Sequence, residues 1–301
     1  EDAIKIIAER IDPNGVLDPL ITQSGETGIL IELPYFDNPQ ELANVIARIG
    51  NLGKLEFRMV ADDSYASLDG VSFQMATEKQ LLKTWLQNPE NAKKIKDDFH
   101  NIRIFNEAAP PLGPQKAGLI AWYPRLIKPD TKGKGGGKVW DRSYEPFPAF
   151  TNAVVPAYEP KDYNGGQIPE EYQKLPADQQ FLVEFIAVNM KEQHFEGKDL
   201  DPASVGPGQM DGKPGVNYMF DAGHVGAYAE WSAKYKDKPS AIILNGVVKS
   251  APTFQGKITG MGIITGDFTS PEVDELVKVL KTGSLRVEPA PNSDAYIVSG
   301  R

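Results

Sequence analysis

The stretch Ala241-Ile242-Ile243-Leu244-Asn245-Gly246-Val247-Val248-Lys249-Ser250-Ala251-Pro252 is two short apolar runs joined by Asn-Gly. A two-residue type I′ turn needs positive φ at both central positions, and Asn and Gly both tolerate it, so the stretch reads as a tight β-hairpin. Pro252 has no N–H to give to a ladder and marks where the second strand stops pairing. Upstream, Val216, Tyr218 and Phe220 alternate as in a strand, and 222–235 has helical spacing. The first strand of the hairpin therefore closes a β-α-β unit.

A second such unit lies near the start of the chain. Ile29, Ile31 and Leu33 alternate onto one face, and Leu55, Phe57 and Met59 do the same. Between them Asn38-Pro39-Gln40-Glu41 is a helix start, with a capping Asn, Pro at the first helical position and an acid in the first turn. Leu42, Val45, Ile46 and Ile49 form its apolar stripe. Ile4, Ile7, Ala8 and Ile11 place an amphipathic helix ahead of all this, and 16–22 reads as a strand. After the hairpin, 258–265 is a glycine-punctuated strand region. Ser270-Pro271 then opens a helix with the stripe Val273, Leu276, Val277 and Leu280, closed by Gly283. Two β-α-β units of similar length predict an α+β fold with a ferredoxin-like base: one antiparallel sheet carrying its helices on one side.

The middle of the chain has another texture. Thr77-Glu78-Lys79-Gln80 resembles a capping box for a helix to Leu86, and Asn88-Pro89 starts another helix. Residues 102–105, 118–127 and 181–188 read as strands, while 129–176 is rich in Gly, Pro, Tyr and charge without periodicity. The expected organisation is a base of 1–61 with 212–301 and an inserted α+β head, 62–211, which carries the irregular excursion at 129–176.

Composition narrows the function. The 301 residues can bury a substantial core, and 41% hydrophobic with 24% charged residues is ordinary for a globular chain. A net charge of −9 argues against nucleic acid as a partner, which calls for a basic footprint. No apolar run reaches the roughly 18 residues that a membrane span needs. The absence of cysteine removes disulfides, thiolate catalysis and thiolate metal sites.

Candidate chemical motifs fail one by one. Lys132-Gly133-Lys134-Gly135-Gly136-Gly137-Lys138-Val139 lacks the leading Gly and the closing Ser/Thr of a phosphate loop. Gly260-Met261-Gly262-Ile263-Ile264-Thr265-Gly266 misses the dinucleotide spacing by one residue and sits in a strand-like segment. His100, His194 and His224 are far apart, with no second ligand at helical spacing, and read as surface or turn residues. Ser24 and Ser250 lack a nucleophile elbow. The adjacent acids Asp62-Asp63 and Asp97-Asp98 point apart. No catalytic, metal or cofactor-binding residue is expected, and the chain reads as a non-enzyme. The aromatics Trp122, Tyr123, Trp140, Tyr144 and Phe147 either staple the long insert to its subdomain or line a groove for an extended polypeptide.

Several segments together resemble one family. Ala8-Glu9-Arg10-Ile11-Asp12-Pro13-Asn14-Gly15-Val16, Ile21-Thr22-Gln23-Ser24-Gly25 and Ile29-Leu30-Ile31-Glu32-Leu33-Pro34 are similar to the N-terminal signature of SecD. So are 242–252, the segment 258–268 with its ITGDF, and Leu280-Lys281-Thr282-Gly283-Ser284-Leu285. Asn245 stands where the family usually has Asp, and Arg286 where it often has Pro. The resemblance implies a periplasm-facing domain of an inner-membrane protein, cut from between two membrane helices that lie outside this sequence. It implies SecF (separate or fused), the SecYEG channel and unfolded preproteins as partners, with export driven by the proton gradient. The family's proton-carrying residues lie in its membrane helices, so none of those roles falls on this chain. Such a domain tilts its head on its base. Val60, Ala61 and Asp62, with Gly206, Gly208, Gly212 and Gly215, mark the two crossings where a hinge is expected, and Asn245 and Gly246 are expected to shape a hairpin. The rival readings are a periplasmic hydrolase or small-ligand binder working through the insert, and a scaffold docking partners through a sheet edge.

Overall fold

A computed structural model describes residues 2–12, 17–25, 28–38, 42, 45, 49, 53–62, 74–108, 113, 114, 118–127, 129, 130, 139, 140, 154–156, 182–266 and 268–282. The class is α+β. In chain order the elements begin with α1 (Asp2–Ile11), β1 (Leu20–Ser24), β2 (Gly28–Glu32), β3 (Leu55–Met59), α2 (Met75–Leu86), α3 (Pro89–Asp97) and α4 (Ile102–Glu107). The strands β4 (Ile120–Ile127), β5 (Pro129–Asp130), β6 (Val139–Trp140), β7 (Val154–Pro156), β8 (Leu182–Asn189), β9 (Phe195–Glu196), β10 (Gly206–Met210) and β11 (Lys213–Tyr218) follow. The last elements are α5 (Val225–Lys234), β12 (Ser240–Leu244), β13 (Val247–Ser250), β14 (Gly262–Thr265) and α6 (Ser270–Thr282).

The chain divides into two compact units. The first is Glu1–Leu55, Glu196–Val225 and Gly260–Arg301, and the second is Glu56–Phe195 with Gly226–Thr259. The first strand of each β-α-β unit therefore sits in the first unit, whereas the closing strands β3 and β12 belong to the large sheet of the second. Among the described pairings, neither β2 with β3 nor β11 with β12 shares a sheet.

In the first unit α1 buries Ile7 and Ile11 with Val45, against Ile21, Ile29 and Ile31 from the inner face of the β1–β2 hairpin. Asp12 ends the helix by accepting hydrogen bonds from the Leu17 and Asp18 backbone N–H groups at 3.0 and 2.9 Å. The antiparallel sheet β10-β11-β14 turns between its first two strands at Asp211-Gly212, with φ of 51° and 77°. Val216 and Ile264 are buried, as are Val273, Leu276, Val277 and Leu280 along α6, which packs on β11. The start of α6 is a reciprocal cap: Thr269 N–H donates to Glu272 Oε2 at 2.7 Å, and Glu272 N–H to Thr269 Oγ1 at 3.4 Å. Gly283, expected to close this helix, lies outside the described residues.

The second unit is organised by a seven-stranded sheet in the order β7-β8-β4-β13-β12-β3-β9. The long pair β4–β8 is antiparallel over eight residues. The hairpin β12–β13 turns at Asn245-Gly246, with φ of 50° and 75°, and joins the sheet through a parallel contact of Val248 with Arg125. The sheet bends back on itself beyond β3, where Val60 bridges to Val188 and Ala61 N–H donates to Ala187 C=O at 2.9 Å. The buried cluster around Trp122, Phe185 and Val248 takes in Met75, Leu82, Ile95, Ile102 and Phe105 from α2, α3 and α4. Phe57, Phe195, Tyr228, Trp231 and Phe254 form a second, edge-to-face aromatic cluster under α5.

Two local expectations are corrected. The segment Ile102-Arg103-Ile104-Phe105 has strand-like composition but is helical. Ile102 and Phe105, three apart, are both buried, so packing at helical spacing overrides β-propensity. Thr77 is not a helix cap, because α2 already starts at Met75 with Gln74 in the capping position. By contrast Asn88 caps α3 as its sequence suggests, accepting from Glu90 N–H at 2.9 Å with Pro89 next in line.

Candidate functional site

The insert aromatics are placed unevenly. Trp122 is 0% exposed and belongs to the core of the second unit, so it lines no surface groove. Its backbone is gripped by α4: Asn106 Oδ1 accepts from Trp122 N–H at 2.8 Å, and Asn106 Nδ2 donates to Trp122 C=O at 2.9 Å. One side-chain amide thus does for β4 what a neighbouring strand would do, beyond the short reach of β13. Trp140 is described only as a β6 residue opposite Pro129, and Tyr144 and Phe147 lie outside the described residues.

Tyr123 points to the other face of β4, where the sheet holds a cluster of buried charge. Arg125 stands opposite Glu184, and Tyr123 opposite Ile186, in the β4–β8 register. Val60 faces Val188, so Arg58 and Glu56, two and four residues earlier, share this face by the period-2 rule. Glu56, Arg58 and Glu184 are 2%, 6% and 2% exposed. Arg58 Nη2 lies 2.9 Å from Glu56 Oε1, and Arg125 pairs with Glu184. Arg58 Nε and Nη1 are buried without a hydrogen-bond partner. Burial, and then the Glu56 carboxylate, push the Tyr123 phenol up, against a smaller opposing effect of Arg58.

Two guanidiniums and two carboxylates cancel in charge, and the phenol keeps its proton as a hydrogen-bond donor. Such pairs contribute little net stability but are costly to break singly, so they specify one strand register over its neighbours. The cluster fixes geometry; it does not set a nucleophile beside a base. The sequence hid it: Glu56 and Arg58 read as the solvent face of a half-buried strand, and only the return of the chain to β8 covers them. The one available signal was the exact alternation of charge with Leu55, Phe57 and Met59.

The expected hinge residues fall in paired structure. Gly206, Gly208 and Gly215 are ladder residues of β10 and β11, with Gly212 at their turn, all within the first unit. Val60 and Ala61 are held to β8, and Asp62 pairs with Lys238 at 2.9 Å. Backbone in a closed ladder resists dihedral change, and the division between the two compact units falls elsewhere, at 55/56, 195/196, 225/226 and 259/260. Gly208 has a local reason to be glycine: a Cβ there would stand 2.4 Å from Asn217 Oδ1.

The histidines also separate. His194 is exposed, and His100 Nδ1 lies 3.0 Å from Asp98 Oδ1 beside the β12–β13 turn. His224 lies between two carboxylates, with Nδ1 2.7 Å from Asp221 Oδ1 and Nε2 3.6 Å from Asp199 Oδ1. Among the described residues no group of three His, Asp or Glu side chains is placed to hold a metal ion.

Two family models match the chain. Residues 1–62 match the N-terminal part of the P1 domain of protein translocase subunit SecDF, and residues 173–287 match the SecDF P1 head subdomain. The chain is 28% identical to protein translocase subunit SecD of Elusimicrobium minutum over 292 residues, covering 96% of this chain and 44% of that protein. It is 25% identical to the SecD subunit of Aquifex aeolicus over 289 residues, covering 96% and 37%. The chain thus spans less than half the length of these relatives. A solved structure described as a membrane component SecDF that enhances protein export is similar at 20% identity and a TM-score of 0.48, covering 95% of this chain and 88% of that one.

Proposed function

For a chain that belongs to the SecDF P1 family, we propose a role as the export-side domain of a SecD-type protein translocase subunit, which handles polypeptides as they leave the channel. The observation that carries this reading is the paired match, in order, of residues 1–62 to the P1 N-terminal part and 173–287 to the P1 head. The domain faces the periplasm, anchored to the inner membrane by segments outside this sequence, and works beside SecF and SecYEG. It is not an enzyme: export draws on the proton gradient through the membrane part, and this domain captures the emerging chain transiently while its two units move about the crossings.

The test is site-specific photocrosslinking in membrane vesicles, with a preprotein arrested during export. A crosslinker at the exposed Ile104 of the second unit should capture the preprotein, and one at the exposed Tyr35 of the first unit should capture it far less. Absence of preprotein adducts from every exposed position tried, in vesicles that export normally, would overturn direct capture.

A further inference from the structure

Two stretches of the first unit adjoin its crossings to the second: Glu196–Asp201, just after 195/196, and Met219–Val225, just before 225/226. They pair with each other. Leu200 bridges to Phe220, Asp201 N–H donates to Met219 C=O at 2.9 Å, and Asp221 N–H to Asp199 C=O at 3.0 Å. Each stretch also braces itself with a carboxylate. Asp199 Oδ2 accepts from Glu196 N–H at 2.8 Å, and Asp221 Oδ1 accepts from Gly223 and His224 N–H at 2.9 Å each. The His224 ring lies between these two carboxylates.

A neutral imidazole carries one N–H and can donate to only one of the two acids; an imidazolium donates from both nitrogens. We propose that His224 is a proton-operated clamp, which on gaining its second proton bridges Asp221 to Asp199 and tightens the pairing of the two stretches. The other charged groups on these stretches are engaged elsewhere. Lys198 pairs with Glu196 at 2.6 Å, and Asp201 Oδ1 accepts from Ala203 N–H at 3.0 Å. The His224 hydrogen bond is the main cause holding the Asp221 carboxyl below its usual range, against burial, so this acceptor stays ionised as the histidine charges.

The sign follows. Bonding that needs the imidazolium strengthens as pH falls through the range of about 8 to 5 in which histidines charge. A carboxyl held low contributes above its unfolded pKa and is lost as pH falls through its folded one, so the clamp loosens again in strong acid. Because the ring is partly exposed, the effect is modest.

The experiment is hydrogen exchange on the intact protein, read by mass spectrometry on peptides covering 196–204 and 217–225, between about pH 8 and 5, after correction for the intrinsic pH dependence of exchange. Protection of the Asp201 and Asp221 amides should rise roughly two- to fivefold on acidification, the scale of an exposed ion pair. His224→Gln should abolish the rise. Asp199→Asn should abolish it too while leaving the Asp221 cap in place. Flat or falling protection in the wild type, or an equal rise in either variant, would overturn the clamp.

Discussion

The β10–β11 and β12–β13 hairpins turn in the same way and end in opposite environments. Asp211-Gly212 and Asn245-Gly246 have nearly the same dihedral signature, with φ of 51° and 77° against 50° and 75°. Yet Ser240 to Leu244 are all buried, while Pro207, Gln209 and Met210 of β10 are exposed. Turn chemistry returns the chain; what flanks the turn decides whether the hairpin becomes core or rim. Gly206-Pro207-Gly208 offers little to bury and puts a proline on an edge strand, whereas Ile242-Ile243-Leu244 and Val247-Val248 bring apolar groups to both faces.

The largest effect should come from the charged face beside the buried hairpin. Arg125→Ala removes the guanidinium that pairs with the buried Glu184 carboxylate and should cost about 3–5 kcal/mol in denaturant unfolding. The double replacement Arg125→Leu with Glu184→Leu should recover most of that loss, because an apolar pair removes both desolvation costs. A double variant as unstable as the single one would mean that the ion pair does more than fix register.

Next comes the direct contrast of the two hairpins. Ile243→Ala, at a fully buried position, should cost about 2–4 kcal/mol. Gln209→Ala on the exposed β10 should fall within about 0.5 kcal/mol of wild type. Equal costs in urea titrations would erase the distinction between core and rim.

A smaller effect separates two glycines at the start of β14. A Cβ on Gly262 would meet the Tyr218 ring at 2.4 Å, since the tyrosine lies across the strand, whereas a Cβ on Gly260 meets nothing within 4 Å. Gly262→Ala should cost about 1–3 kcal/mol by overpacking, and Gly260→Ala should be near neutral. Thermal unfolding of the pair reads the difference.

Much of this fold was legible because its signals are local. Period-2 alternation placed β3 and β11, Asn88-Pro89 placed a cap, and Asn-Gly placed a turn. The partners were not legible. Nothing in Ala241 to Leu244 says that its strand joins β3, β4 and β8 rather than β11, because sheet pairing depends on contacts remote in sequence. The charged face of β3 was missed for the same reason, since its cover comes from residues some 130 positions away. Burial of Trp122 was one of two readings its sequence context left open, and packing against distant helices decided it. His224 drew attention only as an isolated histidine: Asp221, three residues earlier, was within local reach, but Asp199 lies 25 positions away.

The turns themselves supply the finest test of the comparison. The backbone of Asn245 sits at a φ that Asn and Asp both accept with little strain. If position 245 serves only to turn the chain, Asn245→Asp should change stability by less than about 0.5 kcal/mol and leave export unaffected. Gly246→Ala and Gly212→Ala should each cost about 1–2 kcal/mol, because both positions are left-handed and neither has a backbone obstacle to a Cβ. Matching costs would show that the two turns are equivalent and that burial alone distinguishes the hairpins. A loss of export in Asn245→Asp without loss of stability would instead give the side chain at 245 a role beyond the turn.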